Sequence, residues 1–169
     1  MILGIALMTA CSSDEAVEVD QPVSWGAADK VVRSGNLYFS SQPDQQALAA
    51  AAETGVEMVV NLRLPDEADW DEEGAARELG LQYFNVPVSK DGPGFDHGAI
   101  EMLHELAAAN SNKKILMHCS SGNRASAWYA LNLVEQHGMD LEQALIIAGQ
   151  TGLTKPALEA RVREHLSEQ

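Results

Sequence analysis

The chain has 169 residues, 46% of them hydrophobic and 21% charged, enough apolar material for one domain with a real core. Its formal charge of -14 excludes nucleic acid as a partner, because phosphates would be repelled by most of this surface, and it excludes electrostatic adhesion to anionic lipid. An anionic substrate has to be held by local donors.

Residues 1–10, MILGIALMTA, are apolar apart from Thr9 and too few to span a bilayer. With Met8, Thr9 and Ala10 in front of Cys11, the segment resembles the signal and lipobox of a bacterial lipoprotein. That resemblance implies Cys11 as the lipidated N-terminus of a periplasm-facing protein of the cell envelope, with Ser12 permitting release to the outer membrane and the lipid as the only membrane attachment. No Lys or Arg precedes Lys30, so the charged start of such a signal is expected upstream of Met1. Only two cysteines are present, Cys11 and Cys119. If the first carries lipid, the second is an unpaired thiol in an exported protein, the mark of a reactive residue. Residues 11–24 are acidic and small, without apolar periodicity, and are expected to be a linker, with the domain running over 25–169.

From Trp25 onward short apolar runs alternate with helical segments. LYFSS (37–41) reads as a strand, PDQQALAAAAETG (43–55) as a helix, MVVNLR (58–63) as a strand and DWDEEGAARELG (69–80) as a helix. LQYFNVPV (81–88), the loop SKDGPGFD (89–96), a helix over 97–110 and the strand KILMHC (114–119) follow. Three helices over 124–138, 140–152 and 155–166 close the chain. Strands alternating with helices predict an α/β fold with a mostly parallel sheet covered on both faces.

Sheets of this kind hold their ligands at the carboxyl ends of parallel strands, where KILMHC delivers Cys119. The next residues, Ser120, Ser121, Gly122 and Asn123, turn into a helix beginning near Arg124, so loop amides and the helix N-terminus can converge on one point near the sulfur. That field favours a thiolate and stabilises an oxyanion, which makes Cys119 a candidate nucleophile. Gly122 permits a positive φ or a close backbone approach. Arg124 supplies a planar fork matching two oxygens of a tetrahedral anion. Ser120 or Ser126 is expected to hydrogen-bond the sulfur, and His118 to orient the loop from behind.

The stretches LYFSSQP (37–43), ETGVEMVVNLRLPDE (53–67), YFNVPVS (83–89) and HCSSGNRAS (118–126) resemble the phosphatase-like domain of the beta-lactamase-hydrolase-like family, bacterial relatives of the dual-specificity phosphatases. The resemblance covers about 37–139 and implies a phosphatase-like fold with Cys119 as nucleophile and Arg124 as oxyanion ligand. It also makes the four-residue spacing between them a property of the group. Many rhodaneses share this loop length, and Ala125 stands where phosphatases carry Ser or Thr.

A phosphatase needs a proton donor for the leaving oxygen. Asp91, 28 residues before Cys119 in the glycine- and proline-containing loop, is the first candidate, and Asp96 is the second. Arg63 is expected either to bind substrate at the same sheet edge or to pair with Asp66 or Glu67. His97 and His104 read as solvent-exposed, Trp128 and Tyr129 as core or pocket wall, and the acidic run 66–74 as a solvated helix start. The first functional reading is a cysteine-dependent phosphatase acting on a small anionic or phosphorylated substrate through a phosphocysteine, a chemistry that calls for no metal or organic cofactor. The alternatives are a sulfurtransferase carrying a persulfide on Cys119, and a non-catalytic anion-binding or thiol-sensing module.

Overall fold

The computed structural model describes residues 17–168. The apolar segment 1–10 and Cys11, with the lipidation expected there, lie outside them. Strands β1 (Val23–Trp25), β2 (Ala28–Ser34), β3 (Leu37–Ser40), β4 (Met58–Asn61), β5 (Gln82–Asn85) and β6 (Ile115–His118) form one sheet in the order β1-β2-β3-β6-β4-β5. Its β3–β6, β6–β4 and β4–β5 pairs are parallel, whereas β1–β2 and β2–β3 are antiparallel. The helices are α1 (Gln45–Glu53), α2 (Glu72–Glu78), α3 (His97–Ala109), α4 (Asn123–Glu135), α5 (Leu141–Thr151) and α6 (Pro156–Ser167).

Strand alternation divides the core into two layers. Leu37, Phe39, Met58, Val60, Ile115 and Met117 face one cluster with residues of α3, α4, α5 and α6. Tyr38, Val59 and Leu116 face the other, with residues of α1 and α2. Because both faces are covered, β3, β4 and β6 are buried at every position, which is why they read as unbroken apolar runs.

The sheet begins earlier in the chain than expected. β1 and β2 were not anticipated, and the acidic stretch before them is attached to the sheet from its described start: Val19 bridges Ser34, Asp20 N donates to Arg33 O at 2.8 Å, and Ser34 Oγ donates to Glu18 O at 3.0 Å. β2 turns into β3 through Gly35 and Asn36, with Gly35 at φ 59, the first central position where a two-residue hairpin favours glycine. The helix expected over 69–80 is shorter, preceded by a separate 3-10 turn, Pro65–Glu67.

At the carboxyl ends of the central strands the register aligns Ser40 with His118, His118 with Asn61, and Asn61 with Asn85. A row of polar side chains thus replaces the apolar core at the edge where Cys119 emerges.

Candidate active site

Cys119 follows β6 directly and belongs to the core cluster of Ile115 and Met117, with no exposed surface. Alternation sends the preceding His118 to the opposite face, where its Nε2 lies 2.6 Å from Glu72 Oε1 at the start of α2. Both side chains are buried. Glu72 Oε2 also accepts from Gln42 Nε2 at 2.7 Å and from Asn61 Nδ2 at 3.4 Å, and Asn61 Nδ2 donates to Tyr83 Oη at 2.8 Å. His118 thus sits behind the loop, against a carboxylate that nothing in the sequence set apart from its acidic neighbours.

Gly122 sits at the N-terminus of α4 with φ 81, and a Cβ there would stand 3.4 Å from Ser40 O. Both the positive φ and the close approach to β3 call for glycine. In the first turn of α4, Ser126 N donates to Gly122 O at 3.0 Å. The exposed residues of the loop are Ser120 and Ser121.

Arg124 is buried, and its guanidinium is bonded on several sides. Nη1 donates to Glu67 Oε2 at 2.7 Å, to Val88 O at 3.0 Å and to Leu62 O at 3.3 Å. Nη2 donates to Glu67 Oε1 at 2.9 Å and to Ser120 Oγ at 3.1 Å. Burial works to lower the Arg124 guanidinium, but the Glu67 hydrogen bonds and the charges of Cys119 and Glu67 hold it above its ordinary value. Glu67 in turn is held below the usual carboxylate range, first by the hydrogen bond from Arg124, against burial and with help from the Leu64 N–H.

Arg124 also has a partner that was not expected: both terminal nitrogens bond a carboxylate delivered by the 3-10 turn Pro65–Glu67. Arg63 is paired elsewhere than predicted: Nη1 donates to Gln42 Oε1 and lies 3.4 Å from Asp69 Oδ1, not Asp66 or Glu67, because Glu67 is committed to Arg124. The acidic run 66–74 is consequently not a uniformly solvated helix start.

The small residues of the loop divide between roles. Asn123 Oδ1 accepts from Thr154 N at 2.8 Å and Lys155 N at 2.9 Å, so its side chain ties the loop to the α5–α6 turn and is not turned toward an anion. Ser120 Oγ is taken by Arg124. Ser126 Oγ is buried, has no hydrogen-bond partner among the described residues, and lies against Gly152, whose Cβ position is 3.2 Å away.

Of the two acid candidates, Asp96 is the N-cap of α3, accepting from Ala99 N at 2.8 Å. Asp91 is exposed in the turn that precedes it, where Ser89 Oγ donates to Asp91 O at 2.7 Å and accepts from Asp91 N at 3.2 Å. Burial lowers the Arg161 guanidinium from its ordinary value, against the pull of the Asp91 and Glu164 charges. Trp128 and Tyr129 are core residues, as expected. His97 is exposed, but His104 is buried, with Nε2 at 2.7 Å from Glu135 Oε2. That pairing joins α3 to α4 across 31 residues of sequence.

The family model for the phosphatase-like domain of beta-lactamase hydrolase-like proteins matches residues 30–136. The chain is 32% identical over 129 residues to the beta-lactamase hydrolase-like protein of Xylella fastidiosa, a match taking in 64% of this chain and 29% of that protein. It is 30% identical over 113 residues to the dual specificity protein phosphatase TpbA of Pseudomonas aeruginosa, over 66% of this chain and 49% of that one. The chain thus spans half or less of the length of the curated relatives it matches. A crystal structure of P. aeruginosa TpbA shares the fold with a TM-score of 0.65 at 20% identity, covering 88% of this chain and 89% of that one, and another holds TpbA in complex with pTyr. With a cysteine at the end of a central parallel strand, an arginine in the first turn of the next helix and a family match across the region that carries both, the chain belongs to the beta-lactamase hydrolase-like phosphatase-domain family.

Proposed function

We propose that this domain is a cysteine-dependent phosphoric monoester hydrolase. The observation that carries the reading is the setting of Arg124: a guanidinium held by Glu67, Val88 and Ser120 in the first turn of the helix that follows a free cysteine at the carboxyl edge of a parallel sheet. A fixed cation and a nucleophile at one point are what phosphoryl transfer demands, since its catalysis is largely positioning and charge stabilisation.

In the proposed reaction Cys119 Sγ attacks phosphorus, forming an S–P bond as the P–O bond to the leaving group breaks. The charge of Arg124 and the loop amides offset the negative charge on the non-bridging oxygens. Asp91 gives its proton to the leaving oxygen. Water then attacks the phosphocysteine and gives a proton to the Asp91 carboxylate, the S–P bond breaks, and phosphate and the Cys119 thiolate are released. Asp91 takes this role over Asp96 because the Asp96 carboxylate is spent on capping α3.

The substrate class proposed is a small phosphomonoester, phosphotyrosine included; the pTyr complex of the relative TpbA supports it. The lipoprotein-like segment and Cys11 support a further proposal, that the domain works at the periplasmic face of the cell envelope on a lipid tether. Turnover of an aryl phosphate by purified protein, compared with thiosulfate plus cyanide, tests the chemistry: phosphate release that vanishes in Cys119→Ser is expected, and thiocyanate formation without phosphate release would contradict it.

A further inference from the structure

Arg161, on α6, is far from the cysteine motif in sequence, yet its side chain is almost entirely buried. Its Nε donates to Gly94 O at 2.6 Å and its Nη1 to Ser89 O at 2.9 Å, while its guanidinium carbon lies 4.3 Å from the centre of the Phe95 ring. One turn on along the same helix, Glu164 Oε2 accepts from Gly94 N at 2.9 Å. The turn carrying Asp91 is therefore gripped at its entry, Ser89, and at its exit, Gly94 and Phe95.

The grip is continuous with the cysteine loop. Val88 O, one residue before the Arg161 contact, accepts from Arg124 Nη1 at 3.0 Å. Two arginines thus hold the adjacent carbonyls of residues 88 and 89, one from α4, the helix that follows the nucleophile, and one from α6. A glycine- and proline-containing turn has little to fix it internally beyond the Ser89 hydroxyl, so these external bonds define where it stands. Lysine at position 161 could not reproduce its bonds, because the Ser89 and Gly94 carbonyls are met by two nitrogens of one planar group while its face covers Phe95.

We propose that Arg161 is the positioning residue of the acid loop: by holding Ser89 and Gly94 it fixes where the Asp91 carboxyl stands relative to Cys119. Arg161 touches no reacting atom and acts only through Asp91. The inference rests on the phosphatase reading above and on Asp91 as the acid.

The test compares wild type, Asp91→Asn, Arg161→Gln, the double variant, Arg161→Lys and Cys119→Ser on two substrates, phenyl phosphate, whose leaving oxygen needs a proton, and p-nitrophenyl phosphate, whose does not. Arg161→Gln is expected to cut kcat on phenyl phosphate by ~10-fold or more, to affect p-nitrophenyl phosphate far less, and to flatten the basic limb of the pH profile as Asp91→Asn does. The double variant should be no slower than Asp91→Asn alone, since both changes remove the same contribution. Equal losses on both substrates, or losses that multiply in the double variant, would overturn the positioning role. If Arg161→Gln shows no cooperative thermal transition, Arg161→Lys carries the test, with a loss confined to phenyl phosphate expected and an equal loss on both substrates contradicting. Cys119→Ser separates the two levels: its inactivity on both substrates keeps the phosphatase reading whatever Arg161 does, and its activity would remove that reading and this inference together.

Discussion

Glu67 and Arg124 meet fork to fork, with Oε2 2.7 Å from Nη1 and Oε1 2.9 Å from Nη2, across 57 residues of sequence. The carboxylate is itself held, since Leu64 N donates to Oε2 at 2.8 Å. Such a bidentate pair fixes the plane of the guanidinium as well as its position. We read Glu67 as the residue that keeps Arg124 pointed at the cysteine loop.

Glu67→Gln should therefore lower kcat/KM by roughly tenfold or more, because small misplacements of a catalytic group are costly. It should also change the acid limb of stability. A carboxyl whose folded value is lowered contributes fully above its ordinary range and loses that contribution as pH falls through the lowered value. Urea midpoints measured against pH should show wild type and Glu67→Gln converging as the pH drops below the ordinary carboxylate range. A constant gap there, with unchanged kcat/KM, would mean that the pair has no part in holding Arg124.

Behind the loop, Glu72→Ala should cost about 3 kcal/mol, because it leaves His118 buried opposite an empty position and also removes the acceptor of Gln42. Chemical unfolding measures it directly. A loss below about 0.5 kcal/mol, the scale of an ordinary surface change, would show that the His118–Glu72 contact is dispensable.

Gly122→Ala places a Cβ in the left-handed region and 3.4 Å from Ser40 O. A cost on the order of 1–2 kcal/mol follows from the backbone conformation alone. Activity should fall further than stability, since the strained residue lies between Cys119 and Arg124. Wild-type activity with unchanged stability would mean that the loop does not need this geometry.

For the tether, mass spectrometry of the native protein should find the mature chain beginning at an acylated Cys11. An unmodified Cys11 peptide with Met1 still attached would refute export by this route.

The sequence made the central strands and the cysteine motif legible for a common reason. β4 and β6 are covered on both faces and so carry continuous apolar runs, and the Cys119, Gly122 and Arg124 spacing lies within a single turn into α4. β2 was hidden because Asp29, Lys30 and Arg33 interrupt its apolar residues, although Gly35 and Asn36 marked its hairpin. The supports of the site were hidden for another reason: Glu67, Glu72 and Arg161 look like surface charges until the fold brings their partners from elements many residues away. In one dimension a carboxylate that fixes an arginine cannot be told from one that is merely hydrated.

Phosphorus is expected to become bonded to Cys119 during turnover. Rapid acid quenching of the protein with an aryl phosphate, followed by peptide mass spectrometry, tests it most directly. A phosphoryl adduct on the peptide containing Cys119 is predicted, absent from Cys119→Ser and longer-lived when hydrolysis of the intermediate is slowed. A persulfide on Cys119 after thiosulfate, with no phosphoryl adduct under any quench, would contradict the account.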